Sequence, residues 1–172
     1  MNTKLLLAGG AALAAIGAYF VTRKLSPTEA SIRHAVVGAA VSQMGKNDPT
    51  PYWLDVVGTP QPRSMAWCGA FALWALHQAG LALDKKWIPG QGFLMTHGSL
   101  PQTKTPQPGD IAYFTKYEHH AVIANVYADK TMDLVNGNGQ NRAVSPSIHS
   151  PISSATAIFS IKPYIDQKLK RA

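Results

Sequence analysis

The spacing of apolar residues changes once along this chain, and that change restricts the fold more than any other feature. Up to about residue 80 the period is helical. Ser26-Pro27-Thr28-Glu29 reads as a helix start, with Ser26 as N-cap, Pro27 at the first helical position and Glu29 at the capping-box place. Ile32, Val36, Val37, Ala40 and Val41 then recur at 3.6-residue spacing, which predicts a helix to about Met44. Residues 48–63 contain four prolines and read as loop, with a short helix around Tyr52 to Val57. Cys68 to Ala79 is the second clear helix, closed by Gly80 as its C′ residue. Phe71, Leu73, Trp74, Leu76 and Ala79 make it apolar nearly all round, so it is expected to be central.

Beyond Pro108 the pattern becomes that of strands. Residues 110–114, 120–126, 132–135, 143–144 and 157–161 read as strands, with an Asn136-Gly137-Asn138-Gly139 turn after the third. Helices first and an antiparallel sheet afterwards is an α+β order, with the N-terminal helices packed on the sheet.

The first 25 residues form a separate problem. Leu5 to Thr22 is an uncharged run of eighteen residues, preceded by Lys4 and followed by Arg23-Lys24. As a helix it would span about 27 Å, close to a bilayer core. The expectation is an N-terminal transmembrane anchor. A cleaved signal segment, with Thr28-Glu29-Ala30 as a small-residue cleavage region, and a buried core helix are the rival readings. Gly10, Ala14 and Ala18 recur every four residues and offer a face for helix–helix association in the membrane. Orientation is ambiguous, because the basic residues flank both ends. The chain thus divides into an anchor or signal segment (1–25), one domain (26–165) and a basic C-terminal tail (166–172).

That division explains the charge. The net charge is +7. Lys4, Arg23 and Lys24 belong to the anchor region, and Lys168, Lys170 and Arg171 to the tail. The body is nearly balanced, with ten basic and nine acidic residues. Terminal basicity suits anionic lipid or wall polymers. No basic stripe interleaved with aromatics appears, so no nucleic acid is expected as a partner. One cysteine excludes an internal disulfide and a CxxC zinc or redox site.

That cysteine, Cys68, stands at the start of the apolar helix, where backbone N–H groups and the helix dipole favour a thiolate. A lone cysteine is also often a small buried hydrophobe. His120 opens an apolar strand and is the candidate general base. His119 competes with it, since adjacent strand residues point to opposite faces. Val122 and Ala124 share a face with His120, which favours His120. Asn136 and Asn138 can supply the amide that orients the imidazole, or can simply build a tight turn. A metal held by the two histidines lacks a third ligand of regular spacing, and no cofactor is expected. Asp110, after Pro108-Gly109, is expected to bond nearby backbone N–H groups. Trp53, Trp67, Tyr113, Tyr117 and His119 are candidates for a substrate groove, although core packing explains the aromatic residues equally well.

Taken in order, Trp67-Cys68-Gly69-Ala70-Phe71, Pro108-Gly109-Asp110-Ile111, His119-His120-Ala121-Val122-Ile123 and Asn136-Gly137-Asn138 resemble the CHAP family of papain-like cysteine amidases and peptidases, relatives of NlpC/P60. The resemblance covers roughly residues 30–163. It implies a papain-like fold and a peptidoglycan hydrolase cutting an amide in the stem peptide or at the muramoyl–peptide junction. Cys68 matches the nucleophile and His120 the base. Asn136 matches a position commonly Glu in the family's Glu-Gly-Asn turn, and Asn138 matches the Asn of that turn. The neutral Asn136 and the His119 found where Gly is common are departures. The backbone N–H of Cys68 is a candidate oxyanion donor, with Gln61 and Ser64 as weaker additions. A membrane-anchored lysin or envelope-remodelling enzyme, bacterial or virion-associated, fits these features. The anchor would then lie in a bacterial inner membrane, with the domain facing the periplasm or wall, or in a virion membrane. Cleavage of the N-terminal segment would give a secreted enzyme. An inert, membrane-anchored structural or wall-binding protein of the same fold is the alternative, as is a protease or toxin acting on another amide.

Overall fold

The computed structural model describes residues 27–81 and 100–171. The expected anchor, with its Gly10, Ala14 and Ala18 face, and the Ser26 cap lie outside them. Among the described residues no helix is long and apolar enough to cross a membrane.

Among the described residues three helices precede the sheet: α1 (Pro27–Val41), α2 (Thr50–Val57) and α3 (Cys68–Gln78). Five strands follow: β1 (Ile111–Phe114), β2 (His119–Val126), β3 (Thr131–Asn136), β4 (Ser145–Pro151) and β5 (Ala157–Phe159). They form one antiparallel sheet in the order β4-β3-β2-β1-β5. A last helix, α4 (Lys162–Arg171), closes the described chain. The expected α+β order is observed. Two expectations are corrected. The strand expected at 143–144 begins only at Ser145. Residues 166–171, expected as a basic tail, are the second half of α4. That helix folds because Ile165 is fully buried and because Lys168 Nζ donates to the Ala79 carbonyl at 2.6 Å, satisfying an orphan acceptor at the end of α3.

The sheet buries both faces. Ile111, Tyr113, Val122, Ala124 and Val135 join α1, α2 and α3 in the main core. Ala112, Ala121, Ile123, Leu134 and Ile158 form a second, smaller cluster on the opposite face. This is why β2 reads as a continuous apolar run rather than a polar–apolar alternation. The core around α3 is aromatic: Tyr52 stacks on Trp67 (centroids 5.4 Å apart) and meets Phe71 and Trp74 edge-on.

A buried ion network joins the helices to the sheet. Arg33, only 2% exposed, donates from Nε to Glu29 (2.9 Å) and from Nη1 to the Pro108 carbonyl and Asp110 (both 2.9 Å). Asp110 also accepts from the backbone N–H groups of Gln107 (2.9 Å) and Ile161 (3.1 Å), the backbone-bonding role expected for it. Glu29 binds the side chains of Arg33 and Lys162, the latter at 3.4 Å; its expected capping box with Ser26 lies outside the described residues. Gly109 (φ +88) makes the turn: a Cβ there would lie 3.1 Å from Ile161 Cδ1, besides the backbone strain.

Replacing Arg33 by Met leaves buried Asp110 without its cation and Glu29 with Lys162 alone. The expected loss is about 3–5 kcal/mol of folding stability, read as a fall in the denaturant midpoint. An unchanged midpoint would contradict the role given to this network.

Candidate active site

Cys68 is the first residue of α3, and Trp67 before it has left helical geometry. The sulfur is buried, at 3% exposure for the residue. Its thiol donates a long hydrogen bond to the Glu118 carbonyl, 3.7 Å away. Burial pushes the Cys68 thiol up, while the backbone N–H groups of His120, Gly69 and Cys68 itself pull it down. The dipole of α3 therefore meets a stronger opposing effect, and the resting group is a thiol rather than the thiolate expected from position alone.

His120, at 1% exposure, lies on the same side of the sheet as α3. Its register partner is Tyr113, and the two rings are 4.8 Å apart. Val122 and Ala124, two and four residues on, belong to the core under the helices, so alternation places His120 on that face. Burial first, and then the neighbouring His119, hold the His120 imidazole down to about 3. Cys68 and His120 therefore rest as a neutral thiol and a neutral imidazole.

The third partner is where the structure departs from expectation. Asn136 pairs with Ala121 across the β2–β3 ladder, which puts it on the face of His119 rather than that of His120. Asn136 Nδ2 donates to the Ser145 carbonyl (3.1 Å) and to Ser147 Oγ (3.0 Å). Both amide protons are then committed, so Oδ1 is the acceptor and His119 Nε2 the donor in their 2.9 Å bond. Asn136 orients His119, not His120. Asn138 sits in the following turn at φ 54. Between them Gly137 is obligatory: a Cβ there would fall 2.5–2.8 Å from Phe71 of α3.

The expected groove residues separate. Trp53 and Trp67 are 0% and 1% exposed and belong to the core, so neither lines a groove. Tyr113 is nearly buried against His120. His119 is half-buried and taken up by Asn136. Tyr117 is 70% exposed, on the short β1–β2 turn that also carries Glu118. Gln61 is held by Thr59 Oγ1 at 3.1 Å. Sequence reasoning missed Glu118, whose carbonyl receives the thiol. Its signal was being the one acidic residue beside the two histidines. Among the described residues no group of three His, Cys, Asp or Glu side chains could hold a metal ion.

Two outcomes follow. An unfolded chain takes up a proton on His120 near pH 6.5, whereas the folded chain refuses it until about pH 3. Stability should therefore fall as pH drops from 6.5 to 3, by up to about 1.4 kcal/mol per pH unit from this group. Denaturant melts at successive pH values should show a smaller slope in His120→Leu. Separately, Asn136→Ala and His119→Ala should each cost about 1–3 kcal/mol. Their double mutant should lose less than the sum, by about 0.5 kcal/mol or more, whereas strict additivity would disprove the bond.

The family model for the CHAP domain matches residues 60–138. The matched stretch runs from the loop before α3 to the turn after β3 and so contains Cys68, Glu118, His119, His120, Asn136 and Asn138. No curated protein and no solved structure is matched. The five-stranded antiparallel sheet with its helices fits such a domain. The match agrees with the resemblance read from the ordered motifs: residues 60–138 are similar to a CHAP domain, which points to a hydrolase of the cysteine amidase or peptidase type acting on peptidoglycan.

Proposed function

We propose that the chain is a cysteine hydrolase, papain-like in fold, that cuts an amide bond of peptidoglycan in the stem peptide or at the muramoyl–peptide junction. The observation that carries this reading is Cys68 at the start of α3 with His120 on the facing side of the sheet, inside the CHAP match. Because the resting pair is neutral, His120 takes the thiol proton as sulfur attacks the carbonyl carbon, not beforehand. The tetrahedral oxyanion collapses as the C–N bond breaks, and the imidazolium gives its proton to the leaving amine. Water then attacks the thioester with His120 as base, releasing the carboxylic acid and restoring the thiol. The Cys68 backbone N–H is the candidate oxyanion donor. Asn136 contributes through His119, and Asn138 through the turn.

The apolar run at 5–22 supports a membrane anchor, with the domain turned toward the wall, as in an envelope-remodelling enzyme or a virion-associated lysin. A second reading is favoured by one observation: the deep burial of Cys68, which keeps it protonated. In that reading the fold is retained without turnover as an anchored wall-binding protein.

Purified walls embedded in a gel, incubated with wild type, Cys68→Ala and His120→Ala, decide between them. Wild type should clear the wall, and each variant should lose several orders of magnitude of activity. Mass analysis of the released fragments identifies the bond. Clearing by Cys68→Ala equal to wild type would sink the mechanism, and no clearing by wild type would favour the inert reading.

A further inference from the structure

The β1–β2 turn carries features that the hydrolytic step does not use. Glu118 takes the left-handed conformation (φ 47), a strained choice for a side-chain-bearing residue. That conformation delivers its carbonyl to the Cys68 thiol. Its side chain is exposed. After burial and the backbone N–H groups, the Glu118 carboxylate is the remaining influence on the thiol and, after burial, it is the largest on the Tyr113 phenol; it pushes both up. The Glu118 carbonyl touches the Cys68 sulfur, so Glu118 borders the buried thiol. A carboxylate there opposes thiolate formation and hinders the nucleophile unless a cation joins it. Beside it, Tyr117 is the most exposed large hydrophobic side chain among the described residues. The Lys116 ammonium already sits 5.1 Å from the centre of the Tyr117 ring, so this ring face accepts a primary ammonium.

We infer that Glu118, with the Tyr117 ring, is a specificity-determining element that selects substrates carrying a primary ammonium close to the scissile amide. The inference rests on the hydrolase reading above. The ammonium would pair with the exposed Glu118 carboxylate, on the residue whose carbonyl meets Cys68. The same pairing neutralises the charge that opposes the thiolate, so the preferred substrate also eases attack by Cys68. A free α-amine and a diamino-acid side chain share this chemistry, and peptides bearing one or the other separate them.

The test uses the full chain and paired synthetic stem peptides that differ only in a free or an acetylated amine. Wild type should favour the free-amine peptide by about tenfold in kcat/KM, the scale of one charge-assisted hydrogen bond. Glu118→Gln should bring that ratio close to one. An unchanged ratio in Glu118→Gln overturns the inference, as does a wild type indifferent to acetylation. Protection of Cys68 from iodoacetamide by each peptide reads binding without turnover. If wild type cleaves neither peptide but the free-amine one protects Cys68 better, and Glu118→Gln abolishes the difference, the hydrolase reading fails while the recognition stands. Equal protection by both peptides sinks the recognition.

Discussion

The buried Arg33 guanidinium is the joint on which the rest of the arrangement hangs. It reaches from α1 to the Pro108 carbonyl and to Asp110 at the mouth of β1, and Asp110 in turn holds the backbone of Ile161 beyond β5. Helix layer, sheet and the start of α4 thus meet at one charge cluster. Removing such charges from water is costly and is offset only when every lone pair and proton finds a partner. Here Asp110 has one charged partner and two backbone donors, while Arg33 has two carboxylates and a carbonyl. A network this specific fixes where β1 begins. Tyr113, opposite His120, is set in place by it.

Much of this was legible in the residues because it rests on local rules. Pro27 and the 3.6 period marked α1, Gly80 marked the end of α3, and the shift to apolar runs marked the sheet. What was not legible depends on partners distant in sequence. The pairing of Glu29 with Lys162, 133 residues away, has no local signal. The last six described residues read as part of a basic tail, yet Ile165 and Lys168 dock them as helix. Trp53 and Trp67 had the chemistry of a glycan groove, but large aromatic rings also give the greatest return on burial, and the core took them.

The site divides along the same line. Cys68 at a helix start and His120 on the face of Val122 and Ala124 followed from period and position. The partner of Asn136 did not, because it depends on the β2–β3 register, which apolar patterning leaves open when both faces of a strand are buried. The protonation state was misjudged for a related reason. Sequence position suggests the dipole of α3 at Cys68, but the depth of Cys68 and His120 is a property of the finished core; burial outweighs the backbone N–H groups at Cys68 and is the largest influence at His120.

Two adjacent histidines on a strand that is apolar on both sides have a consequence for how the chain tolerates change. A slip of β2 by one residue would exchange the imidazoles, turning His119 toward the thiol, while Ala121, Val122 and Ile123 would still find apolar surroundings. Hydrophobicity alone would scarcely object. The safeguard is polar: the His119–Asn136 bond and the irregularity between Ile123 and Asn125 mark one alignment as correct. A single-residue insertion or deletion in the β1–β2 turn would therefore be judged by that amide before it was judged by the core. The asparagine standing where related turns carry an acid is then the residue that counts the strand into place.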